Sequence, residues 1–146
     1  MRDSGFTTVG VGYRQAFVSP MQPLLNATLY AGREDVRSSV RADLSRDLVG
    51  ARVAGSITPA PKWSLLGGLT YQTSRYDGGA PPPVVGLPAE PTRKDDYTAV
   101  DVGLAYAIDR NWSVKGELLL SRNGSNDSLS GFKRDVIGVK VRYDFR

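Results

Sequence analysis

The charged residues with the most regular spacing lie near the end of the chain. Lys115 and Glu117 are separated by one residue, and so are Lys140, Arg142 and Asp144 in turn. Side chains two positions apart in a β-strand share one face, so these groups would form charged rows. A charged row can attract counter-ions, or its members can pair with one another across strands. The chemistry these residues suggest is therefore the handling of ions.

Two residue types that most often carry catalysis are absent, because the sequence contains neither histidine nor cysteine. This excludes the commonest general base, the Ser-His and Cys-His dyads and the usual zinc ligands. The acidic residues are too scattered for a calcium loop. We therefore predict that the protein is not an enzyme, that it has no catalytic or metal-binding residues and that it needs no cofactor.

The basic excess, 19 Lys and Arg against 15 Asp and Glu, lies mainly on predicted strands. No basic run interleaves with aromatic residues, so we expect no nucleic-acid partner. Two interpretations of the strand charges remain open. A net-positive interior would concentrate anionic solutes or polymers, whereas exposed cross-strand pairs would each contribute only about 0.2–1 kcal/mol. The charged residues predicted to face inward are Arg14, Arg52, Asp101, Lys115, Glu117, Lys140, Arg142 and Asp144.

The elements that position these charges are strands, because apolar and polar residues alternate in about seven segments of about ten residues each. For example, Val100, Val102 and Leu104 alternate with Asp101 and Gly103. A tilted strand of about 9–11 residues can cross a bilayer. No apolar stretch reaches the roughly 18 residues that a membrane helix needs. The pattern predicts an all-β protein.

The connections alternate in length. Short segments rich in turn formers lie at 18–23, 59–62 and 109–111, and long outer loops are predicted at about 33–47, 73–96 and 122–132. This rhythm is typical of an antiparallel transmembrane β-barrel with meander topology, which has short periplasmic turns and longer outer loops. We predict a single β-barrel domain over 1–146.

The aromatic residues support the same orientation. They share the parity of the apolar residues and lie beside the short turns or near the end of the chain. If that end is periplasmic, they converge on one membrane interface, as an aromatic girdle requires. The predicted interface aromatics are Phe17, Trp63, Tyr106, Trp112, Tyr143 and Phe145.

A water-soluble sandwich or lipocalin-like barrel is the alternative. In that fold Val102 and Leu104 would point inward, and Lys115 and Glu117 would meet water. Strands in soluble proteins average about 5–6 residues, which favours the membrane interpretation. Glycines on the polar parity also have two interpretations: they relieve crowding between strands, or they leave a wide lumen with room for an inserted loop or plug.

Strand counting predicts that the chain is the C-terminal part of a larger barrel. The last strand of a bacterial outer-membrane barrel ends in the periplasm, so counting back about seven strands places the start outside the cell. A complete barrel of this class has an even strand number and starts inside. We expect a whole barrel of about 12–16 strands.

The end of the chain resembles the terminal β-signal that the barrel assembly machinery recognises. The alternating residues that carry the resemblance are Ile137, Val139, Val141, Tyr143 and Phe145. Two features depart from the usual signal: Arg146 follows the last aromatic, and Lys140 stands where a glycine is usual. The resemblance implies that this machinery is a partner.

The stretch 93–145 is similar to the C-terminal barrel of surface lipoprotein assembly modifier proteins, whose barrels follow tetratricopeptide repeats. The matching residues are Arg93, Asp96, Ser125, Asn126 and Arg134. The resemblance implies a bacterial outer-membrane location, outer-membrane lipid and lipopolysaccharide as surroundings, and a role in translocating lipoproteins or other polymers to the cell surface. A general diffusion porin with a mildly basic lumen is the alternative. Arg93 to Asp96 are expected either to pair internally or to contact lipopolysaccharide phosphates or divalent ions.

Overall fold

The computed structural model describes residues 4–37, 44–78 and 92–145. These residues form one seven-stranded antiparallel sheet in which each strand pairs with the next along the chain, so the predicted all-β meander is confirmed. None of the described residues belongs to a helix that is long and apolar enough to cross a membrane. The strands are β1 (Ser4–Ala16), β2 (Leu24–Val36), β3 (Arg46–Ala60), β4 (Trp63–Tyr76), β5 (Lys94–Ala107), β6 (Trp112–Ser125) and β7 (Phe132–Tyr143).

The two faces of the sheet differ in both composition and exposure. The apolar face carries residues such as Val102, Leu118 and Ile137, and these side chains are exposed. The polar face carries Asp101, Lys115 and Glu117, and on the central strands it is the more enclosed face. In the described part of the chain the only buried apolar residues are Leu48, Tyr76 and Ala99. The apolar residues therefore do not meet in a core.

The strands are staggered in one direction across the sheet. A row of paired residues runs from Leu24 on β2 through Ser56 and Leu66 to Gly103 on β5. Leu24 is the first residue of β2, whereas β5 continues beyond Gly103 to Ala107. A stagger of constant sign tilts the strands as closure into a barrel requires. The sheet is nevertheless open, because no ladder joins β1 to β7 within the described residues.

Three connections, 17–23, 61–62 and 108–111, lie at one end of the sheet, and the last two are tight turns. The connection 17–23 has seven residues, one more than 126–131 at the other end, so the predicted alternation of short and long connections does not extend to this pair. Gln22 and Lys62 adopt positive φ angles of 46° and 72°. Pro61 and Lys62 alone separate β3 from β4. The backbone N–H of Ala107 donates to the carbonyl oxygen of Lys62 at 2.8 Å, which ties this turn to β5.

The long connections are shorter than predicted, because the strands extend into them at both ends. The predicted loop at 33–47 begins only after Val36, and β3 has resumed by Arg46. Cross-strand ion pairs stabilise this extension, with Arg46 lying 2.9 Å from Glu34. The apolar alternation stops before these charged residues, so the sequence pattern predicts loop where the strands continue. The central parts of two loops, 38–43 and the proline-rich 79–91, lie outside the described residues, as does Arg146.

Candidate functional site: the polar face

Five charged side chains form a central charge cluster on the polar face, contributed by β3, β5, β6 and β7. Arg52 lies 2.7 Å from Asp101, and Lys115 lies 2.7 Å from Glu117. Lys140 of β7 pairs with the second oxygen of Glu117. These residues line an open cavity of about 570 Å³. With three cations against two carboxylates, the cluster keeps a net positive charge.

The ion pair between Arg52 and Asp101 spans a strand, because β4 lies between β3 and β5. Gly68 of β4 is the residue that the pair crosses. A Cβ atom at Gly68 would lie 2.5 Å from an Arg52 nitrogen and 2.7 Å from an Asp101 oxygen. Arg52 is held further by a 2.7 Å hydrogen bond that it donates to the Thr70 hydroxyl. Because Gly68 has no side chain, the guanidinium of Arg52 and the carboxylate of Asp101 can come into contact across β4.

The same arrangement occurs nearer the long loops. The Tyr30 ring on β2 lies over Gly50 of β3, and its hydroxyl donates to Gln72 of β4 at 3.1 Å. A Cβ atom at Gly50 would lie 2.4 Å from the ring. At Gly50 and Gly68, therefore, the space is filled by the protein's own side chains. The interpretation that glycine relieves crowding is confirmed at these two positions.

A second charged group, the rim cluster, lies where the polar face meets the long loops. The Tyr76 ring packs between two guanidinium groups, 5.6 Å from Arg46 and 4.3 Å from Arg93. Arg46 pairs with Glu34, and Arg93 pairs with Asp95. The Asp95 carboxylate raises the pKa of Arg93 above its usual value. The two arginines balance the two carboxylates, so the rim cluster has no net charge. Its ion pairs stabilise the strand ends where the long loops begin.

The four charged residues that begin at Arg93 separate into different environments. Arg93 and Asp95 pair with each other, as the internal-pairing interpretation expects. Asp96 accepts a 3.0 Å hydrogen bond from the Tyr71 hydroxyl on the apolar face. The Lys94 side chain is exposed on that same face. Internal pairing therefore accounts for Arg93 and Asp95 but not for Lys94, whose contact with lipopolysaccharide phosphates stays a prediction.

Three residues predicted to face inward lie outside the central cluster. Arg14 is exposed on the edge strand β1. Arg142 lies on the edge strand β7, opposite Ser113, and pairs with Asp144 at 2.7 Å. These positions share the parity of the polar face, but an edge strand leaves both its faces open. Their orientation toward a lumen stays a prediction.

The predicted interface aromatics form two groups at the short-turn end. The ring centroids of Trp63 and Tyr106 lie 4.6 Å apart. Those of Trp112 and Tyr143 lie 4.7 Å apart, and Phe145 packs edge-on against Tyr143 at 4.6 Å. Phe17 is separate from both groups and borders an apolar groove with Leu25, Ile57 and Leu65. The residues of the predicted assembly signal that precede Tyr143, namely Ile137, Val139 and Val141, are exposed on the apolar face of β7.

Asp109 organises the turn between β5 and β6. Its carboxylate accepts hydrogen bonds from the backbone N–H groups of Asn111 and Trp112, each 2.8 Å long. These bonds favour the charged form, so they lower the pKa of Asp109 below its ordinary value. A depressed folded-state pKa contributes stability above the ordinary carboxyl pKa. That contribution is lost as the pH falls through the lowered value.

We expect Asp109→Asn to weaken the loss of stability in acid, because the amide oxygen still accepts both hydrogen bonds but does not titrate. Asp109→Ala removes the acceptor and should lower stability at neutral pH as well. Urea unfolding from neutral to strongly acidic pH measures both effects. An unchanged pH dependence in Asp109→Asn would assign the acid sensitivity to another carboxylate.

Sequence reasoning missed two features of the site. The first is contact between side chains on strands that are not neighbours, namely Tyr30 with Gln72 and Arg52 with Asp101. The sequence signal for each contact is a glycine on the strand that lies between. The second is a set of three cations on the apolar face, Arg75, Arg122 and Lys133, which share the parity of the apolar residues and lie near Lys94, the one cation there that the sequence analysis considered. Continuing each alternation beyond its last apolar residue would have identified this second set.

Within the described residues, no group of three or more acidic side chains is arranged to hold a metal ion. No protein-family model, curated protein or solved structure matches this chain.

Proposed function

We propose that the protein forms the wall of a transmembrane β-barrel pore in the bacterial outer membrane. The apolar face contacts lipid, and the polar face lines a water-filled lumen. One observation carries the proposal: the sheet exposes its apolar side chains over one whole face, whereas the charged side chains on the central strands, Asp101, Lys115 and Glu117, are the more enclosed. The water-soluble alternative has the opposite arrangement, with the apolar face packed inside.

The energetics of the apolar face favour a lipid environment. Apolar surface in water is unfavourable by about 25 cal/mol per Å², and the exposed valine and leucine side chains extend over all seven strands. A bilayer removes this penalty without a second sheet. The strands contain 12–15 residues, enough to cross a bilayer when tilted. The aromatic groups at the short-turn end suit the headgroup region on the periplasmic side.

A barrel of this kind needs more strands than the sheet contains. Unpaired backbone groups at the edges of β1 and β7 are not tolerated in hydrocarbon. Because β1 and β7 run in the same direction, an odd number of further strands would pair both edges antiparallel. The proposed barrel is therefore larger than this sheet and has an even number of strands.

Passage of anionic solutes or anionic polymers is the activity that the geometry supports best. The central charge cluster carries a net positive charge on the wall of an open cavity, which favours anions electrostatically. Export of lipoproteins or other polymers to the cell surface is the narrower form of this activity. It rests on the resemblance of 93–145 to surface lipoprotein assembly modifier barrels, and it stays a prediction.

Replacing Lys140 and Arg142 together by glutamine tests the proposal. We expect the ratio of anion to cation permeability in planar bilayers to fall several-fold, because two cations leave the lumen wall while the remaining carboxylates stay. Lys133→Gln is the matched control, since it removes a cation from the opposite face of the same strand and should leave the ratio unchanged. An unchanged ratio in the double variant would mean that these charges serve only to form ion pairs within the protein.

A further inference from the structure

Four cations lie on the apolar face of β4 to β7, close to the ends of the strands that enter the long loops. We call them the outer basic patch. All four are exposed, and they occupy four neighbouring strands. The patch consists of Arg75 on β4, Lys94 on β5, Arg122 on β6 and Lys133 on β7.

The register places these cations in two directly opposed pairs. Arg75 is the cross-strand partner of Lys94, and Arg122 is the partner of Lys133. Like charges directly opposite one another destabilise a sheet. The sheet contains this repulsion twice, which indicates a site where counter-ions come from outside the protein.

The chain supplies few carboxylates to this patch. Within the described ranges, Arg75, Lys94 and Arg122 have no salt bridge, and Lys133 reaches Asp135 only at 3.6 Å. Asp47, which lies opposite Arg75, is engaged by Arg33 at 3.1 Å. Asp96 accepts its hydrogen bond from Tyr71. By contrast, the polar-face cations of the two clusters are all paired with carboxylates.

The patch also borders the apolar belt. Arg122 follows Leu118 and Leu120 on one face of β6, and Lys94 precedes Val100 and Val102 on the same face of β5. A ligand that contacts both regions must combine negative charge with a long apolar part. An anionic lipid has this chemistry, whereas a soluble polyanion would use only half of the surface.

We propose that the outer basic patch binds an anionic lipid whose headgroup carries two phosphates, with each opposed pair of cations holding one phosphate. The proposal rests on the proposed membrane location, which places the patch at the headgroup level of the outer leaflet. Arginine and lysine bind phosphate through charge-assisted hydrogen bonds, and each phosphate relieves the repulsion within one pair. The apolar residues next to the patch contact the acyl chains.

The test compares the protein with the variant Arg75→Gln/Arg122→Gln in phosphatidylcholine vesicles that contain a fluorescent diphosphorylated lipid A. We expect the variant to bind this lipid about ten-fold more weakly or worse, since it loses one charge-assisted contact to each phosphate. Arg14→Gln/Arg142→Gln is the matched control, with the same change of charge at polar-face positions, and should bind as the unmodified protein does. In pure phosphatidylcholine the patch variant should be at least as stable as the unmodified protein, because it carries less repulsion.

Each contrary result has a distinct meaning. Equal binding of lipid A by the protein and the patch variant overturns the inference, and so does equal binding of lipids with two, one or no phosphates on the headgroup. Displacement of lipid A by soluble polyphosphate as effective as displacement by unlabelled lipid A overturns the lipid part of it. Insertion into vesicles with no preference for lipid A contradicts the patch alone. Failure of the complete barrel, in which further strands pair the edges of β1 and β7, to insert into any vesicle contradicts the proposed pore, and the lipid site with it.

Discussion

Arginine at Leu118 is expected to lower the free energy of unfolding in lipid vesicles by about 2–4 kcal/mol, whereas arginine at Leu119 should lower it by less than about 1 kcal/mol. The two leucines are adjacent on β6 and point to opposite faces. Leu118 lies on the exposed apolar face, opposite Val102 and Ile137. A charge there would enter hydrocarbon at mid-strand.

Leu119 provides the contrast because it lies on the polar face, opposite Asp101 and Val136. An arginine at this position remains in water and has carboxylates nearby. The two variants introduce the same residue on the same strand at nearly the same depth. They differ only in the face of the sheet that receives the arginine. Such matched positions isolate the contribution of the lipid to stability.

Urea unfolding of protein inserted in vesicles, followed by tryptophan fluorescence, measures both variants. Trp63 and Trp112 lie at the short-turn end, away from either substitution. A larger loss for Leu119→Arg than for Leu118→Arg would mean that the polar face, not the apolar one, meets hydrocarbon. That result would contradict the proposed orientation of the sheet and, with it, the proposed pore.

Alanine at Gly50 is expected to destabilise the protein by about 1–3 kcal/mol, a large effect for the addition of one methyl group. The new Cβ atom would lie 2.4 Å from the Tyr30 ring, so the ring would have to move off β3. Its movement would break the 3.1 Å hydrogen bond to Gln72. The substitution therefore tests whether the bridge across β3 contributes to stability.

Gly138→Ala is the control for strand propensity. Gly138 is also on the polar face, but an added Cβ atom there meets nothing within 4 Å. We expect its effect to stay within about 0.5 kcal/mol. In a Tyr30→Ala background the Gly50→Ala penalty should largely disappear, because the ring that it displaces is gone. Additive effects of the two substitutions in a double-mutant cycle would show that Gly50 and Tyr30 are energetically independent.

The fold could be predicted from local pattern because a strand records its two faces in its own residues. Val100, Asp101 and Val102 alternate, and the alternation predicts which side chains share a face wherever the strand is placed. The lengths of the alternating segments and the turn residues between them then predicted seven antiparallel strands that pair in sequence order. The strand ends were predicted less well, since residues such as Glu34 and Arg46 look like loop until each has the other as its partner.

By itself, the sequence therefore determined the all-β class, the meander order and the separation of apolar and charged residues onto two faces. Each of these depends on residues that are neighbours in the chain. Only the tertiary structure decided which charges meet. Arg52 reaches Asp101 across Gly68, and Arg75 faces Lys94, because register and stagger bring together residues far apart in sequence. These are relations between strands, and alternation within one strand carries no information about its partner's register.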